Sequence, residues 1–393
     1  MQGCGTLRRG IFRAKIDTDL TMVARTSRSR RISDCRVYLK AHDMSTLFSS
    51  IFRAGDLVEV RSKEEILATL DANGRLEEMP FMPEMLKYCG KTLRVGKRAH
   101  KTCDPALGIG GRKMLNTVHL ENIRCNGAAH DGCEAACLIF WKDAWLKPAG
   151  EKGPSPNGAG KPFGSGGCSE ETLWSTIKHP PKVGETEPTY VCQNTQVKFA
   201  TQPLKWWDPR QYVEDYASGN VRLQDLVAGL TFSVWRTVTE AGLGIGTAMR
   251  WIYDTFQRFR GGVPYPIRPF GVPEGSKVPQ SRLDLQAGDV VRVKPYKDIL
   301  ETLDCNYRNR GLYFDPEMVP FTEREYEVER RQKQIIDEGS CKMVRFKTDA
   351  IILKDVVCEA RYAICRRFCP RAIYPYWREI WLERVPQSQN PAN

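Results

Sequence analysis

The chain carries one sequence module twice. Residues 54–71 read AGDLVEVRSKEEILATLD, and residues 287–304 read AGDVVRVKPYKDILETLD. The match continues without a gap, and its further identical pairs are Phe81 and Phe314, Pro83 and Pro316, Glu84 and Glu317, Met85 and Met318, Val95 and Val328, Arg98 and Arg331, and Asp104 and Asp337. Such repetition constrains the fold more than any other feature, because each copy should form the same unit. It predicts two related modules, at residues 44–147 and 283–385.

Each module has the pattern of several short strands. Residues 56–60 alternate between apolar and polar side chains, as a half-buried strand does, and residues 91–95 and 116–120 are further strand candidates. Residues 64–70 carry apolar side chains on one side of a predicted short helix. Short strands separated by turns predict a mainly β protein (α+β overall) with two SH3-like small β-barrel modules.

Each module ends with two tryptophans four residues apart. The first has Trp141 and Trp145, and the second has Trp377 and Trp381. Indoles repeated in this way more often fill a core than stack on a ligand, so we predict that they are core residues.

The remaining segments differ in composition from the modules. Residues 1–43 are rich in Arg and Ser, and we interpret them as a disordered or wrongly started extension. Residues 148–167 are rich in Gly, Pro and Ser, which predicts a flexible linker. Residues 261–282 form a second predicted linker, and residues 386–393 a frayed tail.

Residues 168–260, between the two linkers, are predicted to be mostly helical. Residues 208–216, 223–240 and 248–259 have helical patterns, and a glycine-rich break at 242–246 separates the last two. A short strand is expected at 189–193.

Composition narrows the cellular setting. The chain has 393 residues and a net charge of +12, which permits an acidic partner such as nucleic acid. The basic residues are dispersed outside the N-terminus, so nucleic-acid binding is not favoured. No export signal is visible, and Arg236, Glu240 and Arg250 interrupt the most apolar stretch, which argues against a membrane span. We therefore expect a cytoplasmic protein.

Fourteen cysteines in a reducing compartment point to metal binding rather than disulfides. Three of them lie at the same place in each module, after a predicted strand and before the tryptophans. Tetrahedral zinc takes four Cys or His ligands, and an iron–sulfur cluster held by four thiolates is the alternative. The candidate ligands are Cys103, Cys125, His130, Cys133 and Cys137 in the first module, with Cys168 as a substitute, and Cys341, Cys358, Cys365 and Cys369 in the second, with Cys305 as a substitute. Buried unmetallated thiols, or disulfides in an exported protein, remain open.

Four acids recur in both copies. Asp56, Asp71, Glu84 and Asp104 could form an acid–base pair or a hard-cation site, but turn and capping roles are favoured. The candidates for a single catalytic centre all lie in the first module, which has histidines that the second lacks. They are His100, Cys103, Asp104 and His119.

Two segments resemble a recurring signature of uncharacterised bacterial proteins. They are CLIFWKDAWL at residues 137–146 and RRFCPRAIYPYWREIWLERV at residues 366–385. The resemblance covers residues 44–385 and implies a bacterial cytoplasmic protein, without an activity or cofactor to carry over.

These observations lead to three functional hypotheses. The first is a zinc-stabilised tandem-repeat scaffold that binds a protein or peptide partner, with avidity from its two modules. The second is a metalloenzyme of bacterial specialised or carbohydrate metabolism that uses the Cys/His cluster of the first module. The third is a nucleic-acid-binding protein, whose affinity should depend on salt.

Overall fold

A computed structural model describes residues 50–104, 110–150, 168–181, 183–268, 272 and 278–386. The predicted extension at 1–43, residues 151–167 of the first predicted linker, parts of the second and nearly all of the predicted tail lie outside these residues. The described strands are β1 (Leu57–Val60), β2 (Arg75–Leu76), β3 (Met79–Pro80), β4 (Thr92–Arg98), β5 (Lys101–Cys103), β6 (Gly111–Lys113), β7 (Thr117–Arg124), β8 (Leu138–Lys142), β9 (Leu146–Pro148), β10 (Lys178–His179), β11 (Thr189–Tyr190), β12 (Gln202–Leu204), β13 (Val290–Val293), β14 (Arg308–Asn309), β15 (Leu312–Tyr313), β16 (Glu325–Ile336), β17 (Met343–Leu353) and β18 (Leu382–Arg384). The described α-helices are α1 (Lys63–Leu67), α2 (Glu170–Ser175), α3 (Gln193–Ala200), α4 (Arg210–Ala217), α5 (Leu223–Thr239), α6 (Gly246–Arg260) and α7 (Tyr296–Leu300).

Two antiparallel sheets dominate the architecture, and both curl into half-barrels. The first has the strand order β8-β7-β4-β1-β9, and the second has the order β17-β16-β13-β18. In the second, a single bridge between Ile351 and Trp377 stands where β8 pairs with β7 in the first. The protein is therefore α+β with mainly antiparallel sheets, as predicted. Its assignment as SH3-like stays a prediction.

The cores of the two sheets share one arrangement of tryptophan, phenylalanine and threonine side chains. Trp145 is fully buried, its ring meets that of Phe81 edge-on at 5.1 Å, and its indole N–H donates to Thr69 Oγ1 at 3.2 Å. In the second module Trp381 meets Phe314 at 5.2 Å and donates to the Thr302 hydroxyl at 2.9 Å. All four module tryptophans are core residues, because burying large aromatic surfaces is the main stabilising contribution available to so small a unit.

Local sequence explains the short helix that follows β1. Ser62 Oγ accepts a hydrogen bond from the backbone N–H of Glu65, and the Glu65 carboxylate accepts one from the N–H of Ser62. This reciprocal cap starts α1, and Ile66 is the residue that α1 buries in the core.

The helical region is attached to the first module through buried charges. Asp215 of α4 is fully buried and lies 2.5 Å from Lys101 Nζ and 3.2 Å from His100 Nε2. Arg98 donates to the carbonyls of Ser50 and Phe52 and lies 3.7 Å from Glu214. Since a buried charge is tolerated only when it is paired, these contacts fix α4 on the module. None of the helices in the described ranges is long and apolar enough to cross a membrane.

The long hairpin of β16 and β17 reaches from the second module to the first. The Glu134 carboxylate accepts hydrogen bonds from the backbone N–H groups of Lys333 and Gln334. In return the Gln334 side chain donates to the carbonyls of Asp131 and Gly132, at 3.0 Å each. The loop that carries the first module's cysteines is therefore also the loop that contacts the second module.

A candidate metal centre in the first module

Three possible metal ligands meet at one end of the first sheet. Cys125 Sγ lies 3.1 Å from Glu84 Oε1 and 3.8 Å from His130 Nδ1. The imidazole Nδ1 in turn lies 3.9 Å from the same carboxylate oxygen. All three donor atoms lie within 4.8 Å of one another, and no other group of three or more His, Cys, Asp or Glu in the described part of the chain is as close.

Local backbone structure brings these side chains together. Glu84 stands in the first turn of a 3-10 helix, Pro83–Tyr88, while Cys125 directly follows β7. Gly127 then reverses the chain with a φ of 70° and leads into a 3-10 turn that ends at His130. A Cβ atom on Gly127 would lie 1.9 Å from the carbonyl oxygen of Cys133, so only glycine fits there. The Gly127 N–H also donates to Cys125 Sγ at 3.3 Å, which favours a thiolate.

The environment of these donors is largely dry. The side chains of His130 and Glu84 are 2% and 5% exposed, and Glu84 Oε2 has no hydrogen-bond partner among the described residues. Burial raises the pKa of the Cys125 thiol, and the adjacent Glu84 carboxylate raises it further. Burial lowers the pKa of His130, although Glu84 opposes this effect. Without a cation the site therefore holds a neutral thiol and a neutral imidazole, and a divalent cation would compensate the buried carboxylate.

Three more cysteines line the cavity beside this cluster. The cavity is about 30 Å³ in volume, and Cys133, Cys137 and Cys192 contribute to its wall. Burial raises the pKa of each of these thiols, that of Cys192 to about 12. Cys133 Sγ accepts a hydrogen bond from the N–H of Ile336 at 3.4 Å, so the second module closes one side of the cavity.

The second module has the same Glu and Cys but uses them differently. Glu317 and Cys358 stand at the positions of Glu84 and Cys125, while Ala363 replaces the histidine. The Glu317 carboxylate accepts three backbone hydrogen bonds, from Arg361, Tyr362 and Ala363, at 2.6 to 2.9 Å. This carboxylate is already satisfied, whereas that of Glu84 is not. The second module therefore shows how the same glutamate is used when the histidine is absent and backbone N–H groups bind the carboxylate.

The predicted metal ligands do not form one separate group in each module. Cys103 lies away from the Glu84 cluster and packs with Cys358 and Cys369 of the second module. Its N–H donates to Cys369 Sγ at 3.0 Å, and the Cys103 thiol lowers the pKa of Cys369 by hydrogen bonding to it. Cys365 is exposed, and Cys341 lies in the turn between β16 and β17, where its carbonyl accepts a hydrogen bond from the N–H of Tyr190.

The four catalytic candidates each have a different partner. His100 contacts Asp215, and Cys103 contacts Cys369. Asp104 lies 3.5 Å from Arg112. His119 Nδ1 bonds to the Ile139 carbonyl, and burial lowers the pKa of this imidazole to about 4.

Two of the three repeated aspartates in the first module, Asp56 and Asp71, have turn roles. Asp71 Oδ1 accepts from the N–H groups of Asn73 and Arg75, and Asp304 makes the equivalent pair of bonds. Asp56 Oδ2 accepts from Arg53 N–H at 2.7 Å. Of the repeated acids Glu84 alone lies in the metal cluster. The sequence contained a signal for this, since Glu84 and Cys125 are both retained in the second module at the same separation.

No protein-family model matches this chain, and no curated protein is significantly similar to it.

Proposed function

We propose that the first module binds one zinc ion through Glu84, Cys125 and His130, and that the protein is a metal-stabilised tandem-module scaffold. The supporting observation is the spacing of the three donor atoms. Zinc–ligand bonds of about 2.0–2.3 Å in a tetrahedron require ligand atoms roughly 3.3–3.8 Å apart. The observed separations of 3.1, 3.8 and 3.9 Å agree with these edges to within a few tenths of an ångström.

Cys133 is the proposed fourth ligand. Its thiol lines the same cavity as Cys125 and His130 but lies outside the group of three donor atoms, and it accepts a hydrogen bond from the N–H of Ile336, so it would have to turn toward the metal to complete the tetrahedron. Four protein ligands form a closed site, which is the arrangement of structural zinc. The cavity also leaves only about 30 Å³ beside the donor atoms, which suits a single ion better than a drug-sized ligand.

Metal binding would stabilise the contact between the two modules. Residues 131–134 follow the ligand His130 and carry the contacts to Lys333 and Gln334 of β16. Ordering the loop by zinc therefore orders the surface on which the second module docks. We infer that the two modules are copies of one ancestral unit and that only the first retains a metal role.

The helical region supports the proposal that the protein binds a protein partner. Helix α6 has no buried residue, and its Trp251, Phe256 and Phe259 are 67%, 52% and 88% exposed. Large exposed apolar side chains grouped on one element usually mark a protein-binding surface.

The metalloenzyme hypothesis makes a different prediction about the fourth position. A catalytic zinc keeps it open for water, so Cys125 would then be the one thiolate ligand. An iron–sulfur cluster would instead need four thiolates, which the Glu/Cys/His set does not supply, so it would have to draw on the four cysteines of the cavity wall, Cys125, Cys133, Cys137 and Cys192.

Cobalt(II) substitution distinguishes these cases, because each thiolate ligand adds to the near-ultraviolet charge-transfer absorption. We expect the absorption of two thiolates, about half of it in Cys133→Ser, and no change in the exposed-cysteine control Cys365→Ser. A spectrum of one thiolate that is unaffected by Cys133→Ser would contradict the closed site and support the enzyme.

A further inference from the structure

The second module contains an open, basic pocket that is unrelated to the metal cluster. It has a volume of about 240 Å³ and lies between the β16–β17 hairpin, the β14–β15 turn and the segment that precedes β18. Its lining includes five cationic side chains and only two carboxylates. The cationic residues are Arg282, Arg310, Arg331, Lys347 and Arg378.

Both carboxylates are already engaged by one of these cations. The Arg331 guanidinium lies 3.1 Å from Asp349 and 2.7 Å from Glu379. Among the described residues, neither Arg310 nor Lys347 nor Arg378 forms an ion pair, and Arg282 reaches Asp284 only at 3.8 Å. The pocket therefore has excess positive charge that the chain itself does not neutralise.

Arg378 is the buried member of this group. It is 8% exposed, and its guanidinium donates only to backbone carbonyls, including that of Thr348 at 2.6 Å and that of Arg310 at 3.2 Å. Burial lowers the pKa of Arg378, and the neighbouring Arg310 lowers it further. A buried guanidinium beside a second guanidinium is costly unless an anion joins them.

The first module shows how the same position is neutralised internally. Lys142 stands where Arg378 does, and it donates to the carbonyl of Leu115 at 3.1 Å, as Arg378 does to Thr348. Its ammonium also pairs with Glu77 at 2.7 Å. The residue at the position of Glu77 in the second module is Arg310.

The backbone conformation is the same at Glu77 and Arg310, so the two modules differ here only in the charge of the side chain. Glu77 and Arg310 have φ values of 50° and 48°, both in the left-handed region that is uncommon for residues other than glycine. An acid–base pair in one module has thus become a pair of bases in the other, on the same scaffold.

The pocket is also much smaller in the first module than in the second. Around Arg98, the equivalent of Arg331, the first module keeps a cavity of only about 10 Å³, and Glu214 of α4 forms part of its wall. In the second module the corresponding space is the pocket of about 240 Å³.

We propose that this pocket of the second module binds the phosphate group of a small molecule. Arg310, Lys347 and Arg378 supply the charge, and a guanidinium matches the oxygens of a phosphate with two parallel hydrogen bonds. A dianion between them takes the place that the Glu77 carboxylate has in the first module. This site does not depend on the zinc centre, since it lies in the other module and shares no residue with it.

The test uses the full chain and inorganic phosphate as the probe, with chloride at the same ionic strength as the reference. Phosphate should raise the melting temperature and give saturable binding by calorimetry. Arg310→Glu, which recreates the charge pair of the first module, should weaken phosphate binding by about tenfold or more, because it removes a charge-assisted hydrogen bond. Arg308→Glu makes the same change of charge outside the pocket and should leave binding nearly unaltered.

A second variant protects the test against misfolding. Lys347→Ala removes an exposed cation and should weaken phosphate binding without altering the fluorescence of the buried tryptophans. The proposal is overturned if phosphate stabilises the protein no more than chloride does. It is also overturned if Arg310→Glu and Lys347→Ala bind phosphate as the wild type does, or if an oligonucleotide binds in an Arg310-dependent manner while phosphate does not.

Discussion

Removing the carboxylate of Glu317 should destabilise the metal-free protein far more than removing that of Glu84. Glu317 is 3% exposed and holds three backbone N–H groups, so Glu317→Ala leaves three partly buried donors without a partner. At about 1–3 kcal/mol for each lost bond, with some rescue by water, we expect a loss of about 3–5 kcal/mol in the free energy of unfolding. Glu84 holds only the Cys125 thiol, and its second oxygen has no partner, so Glu84→Ala should cost less than about 1 kcal/mol.

The assay is urea unfolding in the presence of a chelator, followed by tryptophan fluorescence, which reports on both cores. Adding zinc should then stabilise the wild type and Glu317→Ala but not Glu84→Ala, because only Glu84 is a proposed ligand. Equal losses for the two variants without metal would refute the argument that the copies use the same glutamate differently. So would an equal response of both variants to zinc.

Four other perturbations have expected outcomes. Burial raises the pKa of Asp143 from 3.8 to about 6, so the contribution of this carboxyl group to stability falls as the pH rises through that interval. In urea titrations above pH 6, Asp143→Asn should therefore be more stable than the wild type, by up to about 3 kcal/mol in the free energy of unfolding. The difference should vanish near pH 4. At the equivalent position in the second module, burial opposes ionisation of Glu379, but two backbone N–H donors and a guanidinium outweigh burial and lower the pKa of this carboxyl group. Glu379→Gln should therefore destabilise the protein at neutral pH, and urea titrations in acid should show no difference from the wild type. Diamide, which takes up the two thiol hydrogens, should join Cys103 to Cys369 in the native protein, and peptide mass spectrometry that finds either thiol still free would contradict the contact. Asp215→Ala strands a buried ammonium and should cost about 3–5 kcal/mol, with faster proteolysis between the first module and α5; unchanged proteolysis would show that this contact does not fix α4.

Much of the local structure followed from sequence patterns, but the strand predicted at 189–193 is confined to Thr189–Tyr190, because the chain turns into helix α3 at Gln193. The strands predicted at 56–60, 91–95 and 116–120 correspond to β1, β4 and β7, and the helices predicted at 208–216, 223–240 and 248–259 correspond to α4, α5 and α6. These elements have strong apolar periodicity, and for the strands the second copy repeats the pattern.

The elements that the sequence did not indicate owe their structure to distant contacts. Helix α3 has a weak apolar pattern and is held by its buried Gln193, which bonds to both the N–H and the carbonyl of Phe140. The pairing of β6 with β12 joins residues far apart in the chain. Periodicity within a segment carries no information about such partners.

For the same reason, only part of the candidate site could be predicted from the sequence. The loop from Cys125 to Cys133 is local, so cysteine spacing identified it. Cys103 belongs with Cys369, far along the chain, and no spacing rule connects them. Glu84 was recognised as a repeated acid, but its role depends on whether the loop opposite supplies N–H donors or an imidazole, which becomes visible only in three dimensions.

Zinc content tests the central claim most directly. Elemental mass spectrometry should find one zinc per chain in the wild type and in Cys358→Ser, and essentially none in Cys125→Ser. Equal zinc in both variants, or loss in Cys358→Ser alone, would contradict the assignment of the metal centre to the first module.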